Sequence, residues 1–78
     1  MTAATATHLI ESNEGGIDLC ESQGGAWVTI KRDVDSTTLL RYGFNLDSPA
    51  VQAVLAEAAS WSGRCLTVSM RNLSAIRN

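Results

Sequence analysis

The first thirty positions of this 78-residue chain hold no lysine or arginine, histidine and proline occur once each, and nowhere do about 18 apolar residues run together. Each gap excludes something. Without a long apolar run, no segment reads as a membrane span. The opening "MTAATATHLIESNEGG" has neither a basic stretch nor a continuous apolar core, so it does not read as a secretory signal, and the expected location is the cytoplasm. In that compartment the two cysteines, Cys20 and Cys65, are expected to stay reduced, because one distant pair falls short of a disulfide framework. The net charge of −2 argues against direct binding of nucleic acid by phosphate neutralisation.

Catalytic signatures are also missing. His8 has no sequence neighbours that would make it a metal ligand or a general base. No serine sits in G-x-S-x-G or S-x-x-K. The spacings G-x-G-x-x-G and G-x-x-x-x-G-K-[ST] do not occur either. The expectation is a non-enzyme with no cofactor and no metal.

What the chain does contain is alternation. "ESNEGG" at 11–16 and "ESQGG" at 21–25 echo one another, and each glycine pair separates two alternating runs. Glycine's access to positive φ suits hairpin turns at both places. The strands so bounded are Thr7–Glu11, the run "IDLCES" with Ile17 and Leu19 on one face, and "AWVTIKRD" with Trp27 and Thr29 opposite Val28 and Ile30. After a turn at Asp33–Ser36, "TLLRYGFNL" aligns Leu40, Tyr42, Phe44 and Leu46, which predicts a fourth strand. A helix follows, with Ser48 as N-cap, Pro49 at its first position and Gly63 as its stop. Val51, Val54, Leu55, Ala58 and Trp61 form its apolar stripe. "RCLTVSMR" predicts a final strand with Leu66, Val68 and Met70 inward, returning parallel to the fourth by a right-handed crossover.

The fold class expected is α+β: an antiparallel β-meander of about four strands, one amphipathic helix and a closing strand, with the helix on one face of the sheet. Residues 1–6 read as a loosely ordered leader and 7–78 as one domain. Trp27, Leu39 and Cys20 are expected on the sheet face without the helix, a surface suited to a homodimer or a partner.

The binding residues follow from charge. Glu11, Glu14, Asp18 and Glu21 cluster around the first hairpin and can steer it toward a basic surface, with Trp27 as anchor. Arg64, Arg71 and Arg77 near Trp61 are better read as a solvated rim than as a phosphate site. In size, acidity and a meander-plus-helix architecture the chain resembles the small anti-defence proteins of bacteriophages, particularly anti-CRISPR inhibitors. The resemblance carries no motif, so no residue role transfers from it. It implies a small inhibitor that occupies a basic surface of a host nucleoprotein effector. Two other classes remain: a homo-oligomer sequestering a small nucleotide, and an assembly subunit of a larger particle.

Overall fold

The computed structural model describes residues 7–69. Three strands come first: β1 (His8–Asn13), β2 (Gly16–Gln23) and β3 (Ala26–Lys31). They form a meander in which β1 pairs antiparallel with β2, and β2 with β3. Each turn has two residues. Glu14 and Gly15 lie at φ 52° and 81°, and Gly24 and Gly25 at 58° and 84°, so both loops have positive φ at both central residues. This is the primed turn whose twist matches that of the strands it joins. The echo in the sequence is therefore one hairpin device used twice. Gly16 falls outside it, as the first residue of β2, and answers a different need: a Cβ there would stand 2.9 Å from Asp33 Oδ1.

The fourth meander strand is not formed. Its place is taken by a short helix, α1 (Ser36–Arg41), and the cause lies at its two ends. Asp35 is the N-cap, its carboxylate accepting the Thr38 N–H at 2.9 Å. At the other end Gly43, at φ 88°, donates to the Leu40 carbonyl and Phe44 donates to the Leu39 carbonyl, both at 3.0 Å. That pair of bonds is a Schellman motif, and its usual apolar contact is supplied by Leu39 and Phe44, both buried in the core. Leu40, which the strand pattern put inside, is 57% exposed, whereas Leu39, which it put outside, is 1% exposed.

The second helix, α2 (Pro49–Ala59), starts where the sequence placed it, with Ser48 Oγ accepting the Ala50 N–H at 3.3 Å. It ends at Ser60, whose hydroxyl donates to the Ala56 carbonyl, three residues short of Gly63. Val51 and Val54 are fully buried, Leu55 and Ala58 partly so, and Trp61 lies past the helix end, exposed.

The last strand, β4 (Thr67–Ser69), pairs antiparallel with β1, setting Ile10 against Val68. The sheet order is β3-β2-β1-β4 and every pairing is antiparallel, so the expected parallel return and mixed sheet are not formed. β1 has β2 on one side only within the meander, and β4 takes its other side. Val68 is buried, Leu66 is exposed, and Met70 lies outside the described residues. The predicted leader 1–6 lies outside them as well.

Ile10, Ile17, Leu19 and Val68 from the sheet, Leu39 and Phe44 from the α1 region, and Val51 and Val54 from α2 make one core. Strand registers put Ile10, Ile17, Leu19 and Val68 on a single face, so both helices cover the same side. The protein is thus an α+β fold: a four-stranded antiparallel sheet with two helices, one long, packed against it. No helix among the described residues is long and apolar enough to cross a membrane.

Candidate binding surface

The sheet face away from the helices carries the other half of each strand's alternation. Register places Leu9 beside Cys20 and Ser69, Glu11 beside Asp18 and Thr67, and Ser22 beside Trp27. Cys20 Sγ and Thr29 Oγ1 meet across β2 and β3 at 3.6 Å, which confirms that these residues share a side. Glu11, Asp18 and Trp27 therefore lie on one face. Trp27 stands four residues along the sheet from Asp18, roughly 13 Å, and is 46% exposed. Leu39, expected on this face, belongs to the helix-side core instead, because α1 carries it there.

At the first turn the face deepens into a cleft of about 370 Å³ lined by Asn13, Glu14, Gly15, Gly16, Asp18, Arg32 and Asp33. The segment after β3 is pinned beside β2 by the Val34 N–H, which donates to the Ile17 carbonyl at 2.8 Å. Asp33 adopts φ 52°, a left-handed conformation that aspartate tolerates better than most residues. Asp18, 4% exposed, forms the floor. Its carboxylate accepts from Asn13 Nδ2 at 3.1 Å and from the Asp33 backbone N–H at 3.4 Å. Glu14 sits in the turn itself, exposed, and Glu11 is half-buried directly across from Asp18. Like charges directly opposite on neighbouring strands destabilise a sheet. None of these four carboxylates has a basic partner within ion-pair distance among the described residues, although Arg32 lines the same cleft.

Glu21 does not join them. It lies three residues beyond Asp18, an odd step on a strand, and so projects from the helix side. There its carboxylate meets His8 Nε2 at 3.2 Å and accepts from Gln23 Nε2 at 3.0 Å. His8 in turn packs edge-on against Tyr42, with centroids 4.9 Å apart, and Lys31 Nζ lies 5.9 Å from the same ring. His8 is thereby a joint between the sheet and the α1 region.

Burial pushes the Cys20 thiol above its ordinary pKa; the Thr29 hydrogen bond opposes this, and the nearby charges of Glu11 and Asp18 reinforce it. The thiol is protonated at neutral pH and a poor nucleophile. Cys65 is free and exposed. Among the described residues no three or more His, Cys, Asp or Glu side chains are grouped to hold a metal ion. Arg64 pairs loosely with Glu57 at 3.7 Å, consistent with a solvated rim, and Arg71 and Arg77 lie outside the described residues.

The residues that the charge reading missed are Asn13, Arg32 and Asp33. Asp33 carried a legible signal, since aspartate in a turn after a strand is a natural left-handed position; Asn13 and Arg32 carried none. Comparison with family models, with curated proteins and with solved structures finds no match.

Proposed function

We propose that this is a small non-enzymatic protein that acts in the cytoplasm by docking its acidic sheet face on a basic surface of another protein. In the phage-inhibitor reading, that surface belongs to a host defence effector and ordinarily holds nucleic acid. The observation that carries the proposal is the stacking of Glu11 against Asp18 across β1 and β2, with Glu14 and Asp33 at the rim and, among the described residues, no basic side chain within ion-pair distance of any of them. A fold that places like charges side by side gives up stability locally, and a cationic partner restores it on binding. Glu11 and Glu14 steer the encounter, Asp18 holds the field from beneath, and Trp27 supplies a buried anchor at the far end of the same face. Glu21 has no part, being engaged with His8.

The test starts with native mass spectrometry of tagged protein purified gently from a bacterial host. A basic nucleoprotein subunit at defined stoichiometry is the expected finding. Against that subunit, Glu11→Gln combined with Glu14→Gln is expected to slow association by ~10-fold at low salt, with the difference shrinking as salt rises. A folded double variant that associates at the unchanged rate overturns the steering role. A bare homo-oligomer retaining a small nucleotide overturns the inhibitor reading itself.

A further inference from the structure

We propose that β3 is a self-pairing edge, and that two copies of this chain join their sheets antiparallel through it. In the order β3-β2-β1-β4, β3 is an edge of six residues with no further strand beside it among the described residues. Natural edges are usually blunted by charge, proline or extreme shortness. This one carries no proline and no charge before Lys31, and Trp27 and Val28 are 46% and 40% exposed.

The hydrogen-bonding parity decides which groups are on offer. Ser22 donates its N–H to the Thr7 carbonyl, on the β1 side. Ser22 and Trp27 are therefore a non-hydrogen-bonded pair, and the N–H and C=O of Trp27 point away from β2. Thr29, two residues on, presents its groups the same way. The register then shifts between Leu19 and Cys20, leaving Ile30 as the extra residue that bends the strand and ends the straight edge.

The two outward-facing residues thus sit symmetrically about Val28, and that symmetry selects the occupant. A second β3 rotated about Val28 sets Trp27 against the partner copy's Thr29 and Thr29 against its Trp27, closing four backbone hydrogen bonds. Aromatic and β-branched residues are favourable cross-strand neighbours, and Val28 meets its own copy on the helix side. Charge permits the pairing too: Lys31 and Arg32 fall opposite glycines 25 and 24, away from their own copies. An unrelated extended peptide would satisfy the backbone without these side-chain pairs. The interface is small, so association is expected in the micromolar range.

Sedimentation equilibrium on the full chain, up to about 1 mM, is expected to show mass rising from 8.3 kDa toward twice that value. Val28→Lys places two ammonium groups face to face and is expected to weaken the dimer at least tenfold. Leu40→Lys, at a more exposed apolar site elsewhere, is expected to leave it intact. Amide exchange gives a second readout: the Trp27 and Thr29 N–H groups gain protection with concentration, while those of Ala26 and Val28 are protected throughout. A chain that stays monomeric overturns the proposal. So does a dimer that survives Val28→Lys, or one in which the Trp27 and Thr29 amides exchange freely. None of these outcomes depends on the carboxylates of the acidic face, which the pairing leaves uncovered; Trp27 alone belongs to both surfaces.

Discussion

Leu39 and Leu40 are neighbours in the chain with opposite surroundings, and truncating each to alanine separates the helical from the extended form of residues 36–44. Leu39 is 1% exposed and packs in the core with Phe44; Leu40 is 57% exposed. Leu39→Ala removes a buried side chain and leaves a cavity, a loss of about 3 kcal/mol. A chain of this length has roughly 4–12 kcal/mol of stability in all, so the variant forfeits a large share of it. With a urea m-value of about 1 kcal/mol/M for so small a protein, the unfolding midpoint drops by about 3 M. Leu40→Ala removes a side chain that is mostly in water and substitutes the best helix former, so its midpoint stays within about 0.5 M of the parent. Urea titration followed by circular dichroism measures both, and a constant m-value certifies that the midpoints can be compared. If Leu40→Ala proves as costly as Leu39→Ala, or costlier, the capped helix is wrong and the alternating strand is right.

Three further outcomes follow from side-chain environments. Ser12 Oγ is fully buried with no hydrogen-bond partner among the described residues, so Ser12→Ala is expected to raise stability by about 1 kcal/mol; a lower urea midpoint would show that the hydroxyl has a partner. In the native protein Cys65 is expected to react with a thiol reagent far faster than Cys20, which is buried and holds its proton, and urea should erase the difference. Equal native rates would contradict the packing around Cys20. The backbone N–H of Thr38 holds the Asp35 carboxyl below its ordinary value of 3.8. The ionised cap therefore stabilises the fold fully above that value, and its contribution is lost as pH falls through the lower native pKa. Asp35→Asn keeps an acceptor at the cap and should flatten this part of the melting-temperature profile between about pH 2 and 5; a profile parallel to the parent's would remove the cap from the account.

The meander and α2 were legible because their signals are local and agree with each other: alternation bounded by glycine turns, and a serine cap followed by proline. The α1 segment was not, because two local signals conflict there. Leu40, Tyr42, Phe44 and Leu46 alternate over seven residues, while the evidence for a helix sits at its edges, in Asp35 and Gly43. The caps prevailed because a Schellman turn let Leu39 and Phe44 reach the core together, which alternation would have set on opposite faces. The antiparallel closure of β4 against β1 is a pairing between the two ends of the described chain, which no local pattern announces. The acidic face was readable for Glu11, Glu14 and Asp18. Glu21 was grouped with them by nearness in sequence, although strand parity alone sets it on the other face from Asp18. Arg32 reaches the cleft only through the path of the segment after β3, which no local pattern announces, whereas Asn13 closes the first hairpin beside Asp18 and was passed over because it carries no charge.

The position of β4 also bears on the order in which the structure assembles. Two hairpins with two-residue loops bring β1, β2 and β3 together through contacts close in sequence, the kind that form early and fast. The Ile10–Val68 pairing must close a loop of nearly the whole described chain, for only three residues of strand. It is the latch rather than the seed. Loosening it with Val68→Ala should speed unfolding and leave the folding limb of the chevron nearly unmoved, whereas the same loss at Leu19 should slow folding itself.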